Sequence, residues 1–337
     1  MTCYTRVIMN NTQNMLIYQL FEKQVLNTPD NIAIEFDDIS LTYLELNNLA
    51  NQLANYLKKN LEIKNNNYIA LYLDRTEQMV VAILAIFKAG CVYVPFDINF
   101  PDSRLAYMFN DINPALVITN EHYQNKLQLL LNTTNSSEIQ NSQDPNVIKI
   151  LAIDSQVSKL EIANFPKQNL EISTDLMNLA YVIYTSGTTG SPKGILHIHR
   201  SLTDRILWLI NSHKISSDFV VIGKTPYCFD PSLREIFVPL LVGAKLVLMP
   251  QDTHKDMNKL INYISRYNVN MALFVPSQMQ VFLQLLRDEY LDLINTINLK
   301  VIYSVGEKLT VSLAKNILEM FPNVKLYNCQ APILCTL

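Results

Sequence analysis

The chain reads as an α/β protein built of layered parallel sheets with helices on both faces. Three observations predict it. Short apolar runs alternate with longer runs of helical spacing along most of the sequence. The apolar runs are continuous, as expected of strands buried on both faces. Apolar residues make up 49% and charged residues 17% of 337, enough for a substantial core divided into more than one subdomain.

The elements follow in order. The run 32–36 is a short strand. From Leu41 a helix is predicted, with Leu46, Leu49, Ala50, Leu53, Ala54 and Leu57 at helical spacing, and with Thr42 and Glu45 forming a T-x-x-E capping box. YIALYL (68–73) is a buried strand, with the helix Glu77–Lys88 behind it. CVYVPF is the next strand, and Pro101 suits the first turn of a helix running to about Asn110. ALVITN (115–120) is a strand. The Asn/Ser-rich, aperiodic stretch 131–146 reads as a surface loop and a boundary between two layered halves. Then come VIKILAI, LAYVIYTS, a helix from about Ser201, VVIGKT, a helix over 233–241 and KLVLMP. A helix over 257–267, MALFV, a helix from Ser277, VIYSVG, a helix from Thr310 and KLYN complete the alternation.

Several classes are excluded. A formal net charge of -3 gives no nucleic-acid footprint. Cys3, Cys91, Cys228, Cys329 and Cys335 form no CxxC pair, which argues against a disulfide framework or structural zinc. The N-terminus lacks a charged region followed by an apolar one. The most apolar window, MVVAILAIFKAGCVYVPF, is broken by Lys88 and Gly90 and reads as helix then strand rather than a membrane span. A cytoplasmic protein without membrane partners is the expectation.

YTSGTTGSPKG (184–194) carries three of the chain's seven glycines and follows directly on an apolar strand. Glycines let backbone N–H groups approach a polyanion, hydroxyls add donors, and Lys193 adds a mobile charge. It is not a Walker A loop, since Pro192 stands where the pattern needs glycine. A flexible linker is the alternative, but a linker needs neither one fixed lysine nor a buried strand leading into it.

This stretch resembles the phosphate loop of the adenylate-forming superfamily, and its ordered companions resemble the amino-acid adenylation domains of non-ribosomal peptide synthetases. LTYLELNNLANQLANYL, FKAGCVYVPFDINFPDSRLAYM, YTSGTTGSPKGILHIH and FDPSLREIFVPLLVGAKLVL are similar to the first four core motifs, in order, and VPSQM and VGEKLT also fit. The resemblance runs from about residue 15 to the end, leaving 1–14 as a tail. It implies an incomplete N-terminal core, with the small C-terminal domain absent from these residues. It also implies an ATP-dependent ligase. A carboxylate attacks the α-phosphorus of Mg-ATP, pyrophosphate leaves, and the acyl group then passes to a phosphopantetheinyl carrier protein.

The resemblance also implies the site. Thr185, Ser186, Gly187, Thr188, Thr189, Gly190 and Lys193 would meet the β- and γ-phosphates, and Gly306 and Glu307 the turn beside the adenine. Asp230 would pair with an α-ammonium, against the plain reading of a helix N-terminal acid. Pro231, Arg234, Phe274, Tyr303, Val305 and Cys329 would line the side-chain pocket. Arg234 is unusual there, and either pairs with an acidic or polar side chain or points outward. Glu235 reads as a solvated helix carboxylate. His197 and His199 share a face if ILHIH is extended, yet lack a third metal ligand nearby in sequence. His199 alone matches a position near the ATP site.

The fifth motif departs from the pattern. NCQAPILCT (328–336) keeps its asparagine, proline and final threonine. Gln330 stands for the adenine-stacking aromatic, Ala331 for glycine, Ile333 for the α-phosphate threonine and Leu334 for the Mg²⁺-binding glutamate. Leucine offers no oxygen to magnesium. The expected function is therefore amino-acid activation, impaired in these residues alone. The alternatives are a decayed remnant or split-enzyme fragment that binds only nucleotide or a partner, and an acyl-CoA synthetase-like ligase.

Overall fold

The computed structural model describes residues 14–134, 148–186 and 191–329. Among these, the strands form two sheets. One contains β3 (Tyr68–Tyr72), β4 (Val92–Pro95), β5 (Leu116–Thr119), β6 (Lys149–Ala152), β7 (Leu179–Ser186) and β8 (Pro192–Ile198), in the order β6-β5-β3-β4-β7-β8. The other contains β1 (Ile32–Phe36), β2 (Ile39–Thr42), β9 (Val220–Gly223), β10 (Lys245–Leu248), β11 (Met271–Phe274), β12 (Val301–Val305) and β13 (Lys325–Cys329). Its order is β13-β12-β11-β9-β10-β1-β2. Pairing is parallel except between β1 and β2 and between β7 and β8, which are antiparallel.

Helices cover both sheets. The helix Tyr43–Lys59 starts at the expected capping box: Thr42 Oγ1 accepts from the Glu45 N–H at 3.2 Å, and Glu45 Oε2 accepts from the Thr42 N–H at 2.8 Å. Leu46, Ala50, Leu53, Ala54 and Leu57 are buried, while Leu49 is exposed. A central core joins these residues to the helix Glu77–Lys88, to Phe237 of the helix Pro231–Leu240, and to both sheets. A second core packs the helices Met257–Arg266, Pro276–Asp288 and Val311–Met320 on the outer face of the seven-stranded sheet. A third packs Leu105, Met108, Phe109, Leu127 and Leu131 on the outer face of the other sheet. The result is the layered α/β architecture expected.

The apolar window splits as predicted, into the helix Glu77–Lys88 and β4. Lys88 is buried and paired with Glu22 of the helix Ile17–Asn27. Among the described residues no helix is long and apolar enough to cross a membrane. The polar stretch differs from its reading. Its first four residues complete the helix Glu121–Thr134, and 135–147 lie outside the described residues. It falls between β5 and β6, which pair side by side, so it does not separate the two sheets. The chain changes sheet after β2 and again after β8.

Candidate active site

The glycine-rich segment joins two paired strands rather than leading straight to a helix. In β7 and β8, Thr185 pairs with Lys193 and Ser186 with Pro192. Proline is tolerated because β8 is an edge strand, where a missing N–H costs no ladder bond. A Cβ on Gly194 would come within 3.0 Å of Val182 Cγ1 and 3.3 Å of the Tyr184 ring, so only glycine fits there without displacement. Tyr184 in turn donates its hydroxyl to Asp111 at 2.6 Å. The hairpin base is thus fixed and Lys193 is exposed upon it, in no ion pair among the described residues. Gly187, Thr188, Thr189 and Gly190 lie outside the described residues.

The turn CFDPS is fastened to the six-stranded sheet, first through Tyr227 just before it. The Tyr227 hydroxyl donates to the carbonyls of Leu73 and Phe96, both at 2.8 Å, and accepts from the Leu73 N–H. Asp230 then opens the helix Pro231–Leu240, but its side chain does not cap that helix. Instead Oδ1 accepts from the Tyr181 hydroxyl at 2.8 Å and Oδ2 accepts from Arg205 Nη1 at 2.7 Å. Asp230 is 9% exposed and Arg205 48%, so the carboxylate is sunk in the protein with its counter-ion near the rim. Pro231 is half-buried at the first helical turn.

Glu235 corrects the reading as a solvated carboxylate. It is fully buried and accepts from the N–H groups of Lys224 and Thr225, at 3.0 and 2.9 Å, and from the Thr225 hydroxyl at 2.7 Å. Burial pushes its pKa up, against the pull of Lys224 and those bonds. Arg75, beyond the end of β3, donates to the carbonyls of Lys224, Met249 and Pro250. Glu235 thus ties the helix that carries Asp230 to the end of β9, and Arg75 ties the ends of β9 and β10 to the end of β3.

The pocket candidates gather at the carboxyl ends of parallel strands, where crevices in α/β sheets bind ligands. Val305 pairs with Cys329 and Tyr303 with Tyr327 across β12 and β13. Arg234 points inward, not outward: it is 5% exposed, its guanidinium lies 4.8 Å over the Tyr303 ring, and Nη1 donates to Cys329 Sγ at 3.6 Å. Phe274 stands apart from this group. It pairs with Ser304, packs on Phe282 at 5.1 Å and lies under Lys224 Nζ, in the second core. Tyr303 shares a hydrogen bond with His213 Nδ1, and His213 stacks on Tyr327 at 3.7 Å.

Gly306 has φ +80°, and a Cβ there would meet only Val275 at 3.4 Å, so backbone conformation rather than space calls for glycine. Glu307 is exposed and accepts from the Ser277 N–H and hydroxyl, both at 2.9 Å, at the start of the helix Pro276–Asp288. His197 stacks on its cross-strand neighbour Tyr181 at 4.4 Å, beside Asp230. Sequence reasoning missed Tyr181, Arg205, His213 and Tyr327. Tyr181 had a signal, since it lies in the apolar strand that enters the glycine-rich segment.

His199 is enclosed at the start of the helix His199–His213, edge-on to Phe87, with neither ring nitrogen bonded. Burial lowers its pKa from 6.5 to about 4. Unfolding therefore takes up a proton between those values, and the stability present above pH 6.5 is lost as pH falls toward 4. The loss approaches about 3 kcal/mol at the low end. Replacing His199 with leucine should flatten this part of the thermal-unfolding midpoint against pH. An unchanged acid slope in the variant would contradict the assignment.

Gln330, Ala331, Ile333 and Leu334 lie outside the described residues. Among the described residues no group of three or more His, Cys, Asp or Glu side chains is arranged to hold a metal.

Residues 21–330 match the family described as AMP-binding enzyme. The chain is 35% identical over 298 residues to zwittermicin A synthase ZmaJ of Bacillus cereus, covering 87% of this chain and 52% of that protein. It is 32% identical over 321 residues to gramicidin S synthase 2 of Aneurinibacillus migulanus, covering 95% of this chain and 7% of that protein. The chain thus spans about half the length, or far less, of these curated relatives. Its fold superposes with a TM-score of 0.79 on the non-ribosomal peptide synthetase FmoA3 (S1046A) in an alpha-methyl-L-serine-AMP bound form. That match is at 19% identity and covers 94% of this chain and 33% of that one.

Proposed function

The chain belongs to the AMP-binding enzyme family, and on that premise we propose that it binds ATP and an α-amino acid as part of a peptide-synthetase adenylation unit. The observation that carries the reading is Asp230, a sunken carboxylate held by Tyr181 and Arg205, one helical turn before Arg234, which lies over Tyr303 of β12. It supplies a negative charge where an α-ammonium can dock, which a fatty or aryl acid would not need. The same feature argues against an acyl-CoA synthetase-like ligase. The solved relative with an aminoacyl-adenylate supports the same assignment.

In this reading the amino acid's carboxylate oxygen attacks the α-phosphorus, and the bond to the pyrophosphate oxygen breaks with its electron pair. The chemistry asks for charge neutralisation on a departing polyphosphate more than for an acid or base. Lys193 and the hydroxyls and amides of 185–190 meet the β- and γ-phosphates, and Gly306 and Glu307 flank the adenine. Pro231, Arg234, Tyr303, Val305 and Cys329 surround the side chain. The product passes to a phosphopantetheinyl carrier protein in the cytoplasm.

Replacing Lys193 with alanine should weaken ATP binding by about tenfold, the worth of one charge-assisted contact, and leave AMP binding within about twofold. Equal losses for ATP and AMP, measured by calorimetry, would count against a β,γ-phosphate role. A second reading, a nucleotide-binding protein without catalysis, is favoured by Gln330, Ile333 and Leu334 at motif positions that elsewhere carry chemistry. Amino-acid-dependent exchange of pyrophosphate into ATP separates the two: exchange supports activation, and ATP binding without exchange supports the second.

A further inference from the structure

Among the described residues, Arg234 is a buried cation that no buried anion pairs with. Its guanidinium has one weak hydrogen bond, to the Cys329 thiol, and one ring face, on Tyr303. Its Nε has no partner among the described residues. The carboxylates on the same helix are committed elsewhere: Asp230 to Tyr181 and Arg205, Glu235 to Lys224 and Thr225. Around it stand Tyr303, Tyr327, His213 and Cys329. Burial, with the charges of Arg234 and Lys325, keeps His213 below its ordinary pKa, and an imidazole, neutral or protonated, supplies no negative charge.

A cation–π contact offsets only part of the cost of burying a guanidinium. The geometry that completes one is a carboxylate, which takes parallel N–H donors with matched charge. A neutral carboxamide would take a hydrogen bond and leave the charge unmet. An aliphatic side chain would leave both unmet. Asp230 and Arg234 are one helical turn apart, which sets their Cβ atoms about 5–6 Å apart on one helix face. That spacing suits a ligand with an ammonium at one end and an anion a few bonds away.

We propose, on the reading of the chain as an amino-acid-binding adenylation unit, that Arg234 selects an α-amino acid whose side chain ends in a carboxylate. The ammonium docks at Asp230 and the side-chain anion reaches the unbonded edge of the guanidinium.

The test is direct binding by the 337-residue chain of four non-hydrolysable aminoacyl-sulfamoyladenosines, carrying aspartyl, glutamyl, glutaminyl and leucyl groups. Sulfamoyladenosine itself is the reference. The aspartyl or glutamyl compound should bind at least tenfold more tightly than the glutaminyl one, and about a hundredfold more tightly than the leucyl one. Arg234→Leu should abolish that order and Arg234→Lys should keep part of it. Melting curves of both variants report whether they fold, and the ranking by the unaltered chain needs neither. Glutaminyl or leucyl binding as tight as the anionic compounds overturns this inference alone. If no aminoacyl compound binds more tightly than sulfamoyladenosine, the adenylation reading fails, and this inference with it.

Discussion

Asp230→Ala is expected to weaken amino-acid binding a hundredfold or more while leaving ATP affinity within about twofold. Removing one partner of a buried, hydrogen-bonded charge pair costs about 2–5 kcal/mol in binding, much of it from the charge left behind. Here the charge left behind is the ligand's ammonium; Arg205, whose Nη1 sits 2.7 Å from Asp230 Oδ2, is half-exposed and adds a screened repulsion. In the alanine variant an incoming ammonium loses its carboxylate and meets an unneutralised guanidinium instead. Asp230→Asn keeps the shape and can still accept from Tyr181, so its loss should be smaller, about tenfold. The nucleotide is spared because Lys193 lies toward the glycine-rich end of the β7–β8 hairpin, opposite Thr185, four residues along β7 from the Tyr181 that bonds Asp230. Calorimetric titration with an aminoacyl-sulfamoyladenosine and, separately, with ATP measures both. An alanine variant that binds the aminoacyl compound like the unaltered chain removes Asp230 from the site.

The strands and most helices were legible because burial on both faces makes continuous apolar runs, and because local capping residues mark helix starts. Thr42 and Glu45 are such a case, and their bonds form as read. Elements whose ends are satisfied from afar were not legible. The helix Glu121–Thr134 has its first N–H bonded by Asp154 Oδ1, 33 residues away. The helix Ile17–Asn27 starts at Leu16, which has no capping oxygen, and the Gln19 side chain accepts the Leu16 N–H instead. β8 went unread because its strand character depends on pairing with β7, and a proline near an apolar run weakens a strand signal.

At the candidate site, the sequence showed which residues lie together on one helix start, as Asp230, Arg234 and Glu235 do. It did not show their supports. Tyr181 precedes Asp230 by 49 residues, and Arg75 is 149 residues from the Lys224 carbonyl it bonds. Glu235 read as a solvated acid because helix spacing alone does not show what a neighbouring strand end presents to it. The inward turn of Arg234 was equally hidden, since its direction depends on Tyr303 and Cys329 in later strands.

Glu235→Leu is expected to cost about 3–5 kcal/mol, the range for breaking a buried charge network by removing one member. That is a large part of the ~5–15 kcal/mol that holds a typical fold. The variant strips acceptors from the N–H groups of Lys224 and Thr225 and from the Thr225 hydroxyl. It also removes the negative charge acting on two buried cations, Lys224 and Arg75. Burial already lowers the Lys224 pKa from 10.5 to about 8, with Arg75 adding to the fall and Glu235 opposing it. Without Glu235 the lysine loses that support and is held at neutral pH by Gln278 and the Phe274 ring. Glu235→Gln keeps an oxygen acceptor and should cost less, about 1–2 kcal/mol. The pair of changes Lys224→Met and Glu235→Leu together removes both the orphaned cation and its partner. It should therefore lose at least about 1 kcal/mol less than the sum of the single variants. Urea unfolding midpoints at constant slope read all four values. A Glu235→Leu variant within about 0.5 kcal/mol of the unaltered chain, or a strictly additive pair, would mean that the network does not hold the Asp230 helix in place.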